Sequence, residues 1–169
     1  MMQHRMHSFY MKAKQYCCFV KDWVIDEHSA ADLTDLLMEL YQRAKQLPKG
    51  KTLNSEADSA DRYPQSAPNI QINADLPYVY QFTEPFGKDS MRMKDQHSLK
   101  VDLGDIYEAL IPGIHLYETG EQAKACYLWR SSWEIHWGTH AINALQVLHT
   151  YLTQPDYLKE LKADQEEIP

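Results

Sequence analysis

Residues 129–152 read WRSSWEIHWGTHAINALQVLHTYL and hold three of the chain's four tryptophans. On a helix, at about 100° per residue, the large apolar side chains here collect mainly on one face. That face consists of Cys126, Trp129, Trp133, Trp137, His140, Ala144, Val147, Leu148 and Tyr151. A second apolar row, on roughly the opposite side, consists of Ile135, Gly138, Ile142 and Leu145. The pattern predicts a central helix, over residues 121–153, that other elements cover on two sides.

Apolar residues at steps of three and four predict three earlier helices. The first spans residues 6–27, and the second starts with a capping-box-like Ser29 and stops at Pro48. The third runs from Leu99 to a C-terminal cap at Gly120.

Pro112 lies inside the third helix. A proline lacks the amide donor and crowds the preceding turn, so we expect a kink or a break near Ala109. The four helices together predict an all-α fold, a single domain over residues 1–169, arranged as an antiparallel bundle.

The second and third helices are joined by about fifty residues of different composition. Residues 49–75 are rich in Ser, Asp, Asn, Gly and Pro, which predicts a mobile loop. Aromatic residues follow, and we expect an extended or single-turn segment without a partner strand, laid over the bundle as an aromatic lid. The alternative is an aromatic wall that faces a ligand. In either case the residues of the segment are Tyr78, Tyr80, Phe82 and Phe86. Residues 163–169 are expected to form a frayed acidic tail.

The formal net charge is −7, and the 17 Lys and Arg residues form no basic run. This charge argues against nucleic-acid binding through phosphate contacts. It favours either a protein partner with a basic surface or self-association. The three cysteines have no C-x-x-C spacing, so we interpret them as packing residues of a reduced protein.

Charged residues such as Lys12 and Asp22 interrupt the N-terminal apolar positions, which predicts no leader, no membrane association and a cytoplasmic location.

His136 and His140 stand four residues apart, a spacing that lets two imidazoles share a metal ion. Asp102 lies at the margin of the apolar stripe of the third helix, with Asp105 further out, so a carboxylate can face His140 across two helices. These four residues are the candidate ligands of a divalent metal, although no cofactor is required by the pattern. Two other readings stay open: a hydrogen-bonded polar pair within the core, and a proton-transfer pair.

A zinc peptidase is disfavoured, because Trp137 stands where such helices place a glutamate after the first histidine. Glu134 is better placed to pair with Arg130, four residues earlier. The sequence also has no glycine-rich phosphate loop and no nucleophile elbow.

Three short motifs stand out along the chain: Leu37-x-x-Leu40-Tyr41 with Leu47-Pro48, then Asp102-Leu103-x-Asp105-Ile106-Tyr107, and Glu134-x-x-Trp137-Gly138 followed by Ala144-Leu145. With these motifs the chain resembles a bacterial family catalogued as domain of unknown function 5063. The resemblance implies a small cytosolic helical protein and brings no activity, cofactor or catalytic residue. It also implies that the positions of His136 and His140 can hold Tyr or Lys, which counts against a metal site shared by the family.

Two classes of function remain. The first is a non-enzymatic binding module, for example an immunity or regulatory protein that engages a basic partner through the row Ile135, Gly138, Ile142 and Leu145. The second is a metal-dependent enzyme with its site around His136 and His140, beneath the aromatic lid.

Overall fold

The computed structural model describes residues 2–22, 24–49, 69–72, 80–83 and 94–154. Helices dominate this part of the chain, so the predicted all-α class is confirmed; the antiparallel order of the helices stays a prediction. The helices are α1 (Met2–Asp22), α2 (Glu27–Gln46), α3 (Leu99–Glu118), α4 (Gln122–Ser132), a π-helical segment (Trp133–Trp137) and α5 (Gly138–Thr153). The last three follow one another directly and form one rod, called here the C-terminal rod.

The start of α2 is fixed by a capping box. The Asp26 side chain accepts hydrogen bonds from the amides of His28 and Ser29, and the Asp26 amide donates to the Ser29 hydroxyl over 2.8 Å. This satisfies helix-start donors that otherwise lack partners. The predicted start at Ser29 is therefore wrong, because Ser29 is the third helical residue and Asp26 is the cap. The predicted end before Pro48 is confirmed.

A short parallel pairing lies next to the connection between α1 and α2. Strand β1 (Val24–Ile25) pairs with β2 (Gln71–Ile72), and the side chains of Ile25 and Ile70 are buried. Residues 69–72 thus belong to the packed structure rather than to the predicted mobile loop. The rest of that loop and the predicted tail lie outside the described residues.

The aromatic segment does have a partner strand. Strand β3 (Tyr80–Thr83) pairs antiparallel with β4 (Lys94–His97), so that Tyr80 lies opposite His97. The prediction of an unpaired segment is wrong, because the sequence Lys-Asp-Gln-His of β4 has no apolar alternation to identify it as a strand.

Helix α3 is continuous through Pro112, so the predicted break near Ala109 does not occur. It ends in a Schellman motif, in which the amides of Gly120 and Glu121 donate to the carbonyls of Tyr117 and Leu116. Gly120 has φ 90°, a conformation that a residue with a Cβ rarely adopts. Its predicted role as the C-terminal cap residue is confirmed.

The core is centred on α3, which packs against both α4 and α5. Helix α1 packs against α2 and α3, and α2 also packs against α5. Trp129 of α4 is fully buried and donates its indole N–H to the Leu110 carbonyl over 3.1 Å. A Cβ added to Gly113 would lie 2.1 Å from the indole nitrogen, so the ring needs a glycine there. The Phe9 ring of α1 packs 4.9 Å from the Trp129 ring. These four residues are called the tryptophan junction.

The cysteines are free thiols, and Cys17 and Cys126 are buried while Cys18 is exposed. Burial raises the pKa of Cys126 to about 11, as expected for a packing residue. None of the helices that the structure describes has the length and apolarity needed to cross a bilayer.

Candidate metal centre

The first two turns of α3 place two carboxylates toward the C-terminal rod. Asp102 is in the first turn, where an acid interacts favourably with the helix dipole, and its side chain is 1% exposed. Asp105 follows three residues later, on the same side of the helix, and is half-buried. The site therefore has one buried and one accessible carboxylate.

His140 of α5 contacts both carboxylates. Its Nδ1 lies 2.7 Å from Asp102 Oδ1, and its Nε2 lies 3.4 Å from Asp105 Oδ2. A carboxylate only accepts hydrogen bonds, so Nδ1 is protonated and its N–H donates a hydrogen bond to Asp102. In the neutral imidazole, Nε2 would then point a lone pair at a second negative group. A proton on the ring, or a metal ion between Nε2 and Asp105, would remove this repulsion.

The pKa of His140 is raised from its ordinary value of 6.5. The largest cause is the hydrogen bond to Asp102, and the negative charges of Asp105 and Asp102 add to it, whereas partial burial opposes the rise. The surroundings of this ring thus favour positive charge at the site.

His136 completes the group. Its ring centroid lies 4.8 Å from that of His140, in an edge-to-face arrangement, and its side chain is exposed. Asp105, His136 and His140 each offer one ligand atom, and these atoms lie within 4.8 Å of one another. These three residues are called the ligand cluster. The structure thus brings together all four residues proposed from the sequence, with Asp102 placed behind His140 rather than among the ligand atoms.

His136 belongs to the π-helical segment Trp133–Trp137, which the sequence analysis did not anticipate. π-Helical turns are rare and often occur at functional sites, where the wider turn changes the direction of a side chain. Gly138 follows this segment, and a Cβ there would lie 2.4 Å from the Trp133 carbonyl oxygen. A single glycine in a row of bulky residues was the available signal for the wide turn.

The sequence suggested that the second apolar row is covered by other elements. In the described structure the four residues of this row do not form one covered surface. Ile135 is 84% exposed and Ile142 is 48% exposed, whereas Gly138 is buried beneath Trp133 and Leu145 is half-buried. Among the described residues, this row is therefore not covered as one surface. The π-helical segment changes the direction in which successive residues point, which a regular 100° wheel cannot represent.

Most of the predicted aromatic lid lies outside the described residues. The backbones of Tyr80 and Phe82 lie in β3, but their side chains, and all of Tyr78 and Phe86, are outside the described residues.

Arg130 holds the π-helical segment and α2 together. Its guanidinium donates to Glu134 through Nε and Nη2, over 2.9 Å and 2.7 Å, which confirms the predicted pair. Its Nη1 donates to the Ala44 and Lys45 carbonyls at the C-terminal end of α2, and the group stacks 4.7 Å above the Trp133 ring. Sequence reasoning missed these contacts with α2, because no local pattern reports them.

A family model described as domain of unknown function 5063 matches residues 2–154, and the chain belongs to this family. The match includes all four residues of the candidate centre. No curated protein and no solved structure matches the chain.

Proposed function

We propose that this member of the domain of unknown function 5063 family binds a divalent metal ion, of the zinc type, through Asp105, His136 and His140. The observation that carries the proposal is the 3.4 Å separation between His140 Nε2 and Asp105 Oδ2. Two ligand atoms at about 2.0–2.2 Å from zinc, at a tetrahedral angle, lie roughly 3.3–3.6 Å apart. The two ligand atoms thus have the spacing that a shared ion requires, and rotation of the exposed His136 side chain supplies the third.

Asp102 supports the site from behind. Histidine ligands of metals usually donate their other ring N–H to a carboxylate, which fixes the tautomer and makes the ligand more basic. The 2.7 Å contact between Asp102 and His140 Nδ1 has this form, and the carboxylate is buried where water cannot compete for it. Asp102 is accordingly a positioning residue of the proposed centre.

Three protein ligands leave a fourth position for water or for another molecule. Sites of this composition activate a bound water molecule or polarise an oxygen atom of a substrate, whereas structural zinc sites have four protein ligands. The proposal therefore includes the metal-dependent enzyme foreseen from the sequence, with the reacting group bound at the open position.

The test uses untagged protein stripped with a chelator and titrated with Zn²⁺, followed by calorimetry and elemental analysis. We expect one ion per chain in the wild type, and a loss of affinity of at least a hundredfold in His140→Ala. The matched control is His149→Ala, which removes an exposed histidine of the same helix outside the cluster. Equal affinity in the two variants, or no ion bound by folded wild-type protein, would contradict the proposal and leave Asp102 and His140 as an ion pair of the core.

A second candidate function is protein binding at the exposed Ile135 and Ile142. The side chains of Ile135 and Ile142 are 84% and 48% exposed, and exposed apolar area of this kind is what a protein partner could cover. The formal charge of −7 favours a basic partner.

Ile135→Asp tests this candidate by comparing proteins cross-linked to the wild type and to the variant in cells. The control is Val24→Asp, an exposed apolar residue of β1. A basic protein, or a second copy, recovered with wild type and Val24→Asp but not with Ile135→Asp would support the candidate. Identical recovery with all three proteins would exclude it.

A further inference from the structure

A cavity of about 280 Å³ lies where the beginning of α1 meets the C-terminal half of α2, on other helices than the ligand cluster. Its described lining consists of His4, Arg5, Ser8, Arg43 and Gln46. Each of these side chains can donate a hydrogen bond, two carry a fixed positive charge, and none is a carboxylate. A water molecule takes up about 30 Å³ in the liquid, so the cavity has room for a tetrahedral oxyanion and several waters.

The cavity keeps its positive charge despite an ion pair at its edge. Arg43 Nη2 lies 3.0 Å from Glu39 Oε2, and Lys12 Nζ lies 3.0 Å from the same oxygen. Two cations therefore share one carboxylate, which leaves one positive charge in that group, and Arg5 adds another. A wider groove of about 570 Å³ shares His4, Ser8 and Arg43 with this cavity and reaches Lys12 and Lys14, which are paired with Glu39 and Glu118.

One hydrogen-bond donor of the Arg43 guanidinium has no acceptor among the described residues. Nη1 donates to the Ser8 hydroxyl and Nη2 to Glu39, but the buried Nε–H has no hydrogen-bond partner among the described residues. A buried donor without an acceptor is unfavourable. Arg43 lines the cavity, so its guanidinium is within reach of an anion bound there.

We propose that this cavity, the Arg5–Arg43 pocket, binds a phosphate group, either as the free ion or as a monoester. A guanidinium matches the oxygens of phosphate in a two-point, charge-assisted arrangement, and a second arginine neutralises the remaining charge. The rest of the molecule works against indiscriminate anion binding, because the chain carries a net charge of −7. Binding of phosphate must therefore depend on the local arrangement of Arg5 and Arg43. The inference is independent of the proposed metal centre.

The test is a calorimetric titration of metal-free protein with inorganic phosphate and, in a second arm, with phenyl phosphate. We expect saturable binding of one anion per chain, and a loss of roughly ten- to a hundredfold in affinity in Arg5→Gln. Arg43→Lys should lose affinity similarly, because lysine keeps the charge beside Glu39 but lacks the planar fork. Tighter binding of phenyl phosphate than of phosphate would assign the pocket to monoesters, and the reverse order to the free ion.

Lys45→Gln is the matched control, since it removes one exposed cation of α2 that does not line the cavity. This variant should bind phosphate as the wild type does. Absence of saturable binding in both arms would overturn the proposal. So would an equal loss in Lys45→Gln and Arg5→Gln, because that result would show attraction to general surface charge.

Discussion

The C-terminal rod meets α3 in two regions that differ in how their polar atoms are satisfied. In the tryptophan junction, the indole N–H of Trp129 donates to a backbone carbonyl, and no charged group is involved. One turn past the π-helical segment, both ring nitrogens of His140 face carboxylates. The first region depends on packing and a neutral hydrogen bond, whereas the second contains groups whose charge changes with protonation. The tryptophan junction thus holds the two helices together, whereas the ionisable groups lie in the other region.

Trp129→Ala should have the largest effect. Removing a fully buried tryptophan costs about 3–5 kcal/mol of unfolding free energy, because the cavity cannot close completely. Urea denaturation followed by circular dichroism measures the loss. Trp129→Phe retains much of the apolar volume and should lose less. Equal losses in the two variants would show that the junction does not depend on ring volume.

Gly113→Ala should destabilise the protein by about 1–3 kcal/mol, because the new methyl group would overlap the indole ring of Trp129. If this overlap is the cause, combining Gly113→Ala with Trp129→Phe should recover part of the loss. A double-mutant cycle in urea gives the coupling energy directly. Strict additivity of the two losses would contradict the close packing of Gly113 on Trp129.

Asp102→Asn should act on the second region. Loss of the charged acceptor behind a histidine ligand typically weakens metal binding by about 10–100-fold, which equals roughly 1.4–2.7 kcal/mol. Zinc titration of the chelator-stripped variant measures it, with the exposed Asp35→Asn as a control of equal charge change. A zinc affinity in Asp102→Asn that matches the control would remove the positioning role of Asp102.

The smallest effect is expected in the pH dependence of the metal-free protein. The folded-state pKa of His140 is raised above 6.5, so its ion pair with Asp102 and Asp105 contributes full stability below about pH 6.5. That contribution is lost as the pH rises through the raised pKa. Urea midpoints of wild type and His140→Gln, measured in chelator from pH 5.5 to about 8.5, should converge as pH rises. A difference that grows with pH would reverse the assigned direction.

The sequence predicted most of the helices because their buried stripes repeat at a helical period that needs no knowledge of the partner. It also brought His136, His140, Asp102 and Asp105 together as candidates, since a helical spacing and a stripe margin can be read locally. The contacts of Arg130 with the Ala44 and Lys45 carbonyls could not be predicted, because they join residues more than eighty positions apart. The polar strand β4 was missed because its pairing comes from the partner strand and not from its own pattern.

The π-helical segment Trp133–Trp137 sets the rotational phase between the two halves of the C-terminal rod. A π turn corresponds to one residue inserted into an α-helix, and one residue of an α-helix turns by about 100°. Deleting one residue here would leave Trp129 in its junction but turn His140 about a quarter of a revolution away from Asp102. The length of this short segment, as much as the identity of any ligand, therefore determines which side chain reaches the buried carboxylate. A relative with a regular helix at this position would have the same junction and a different residue facing Asp102.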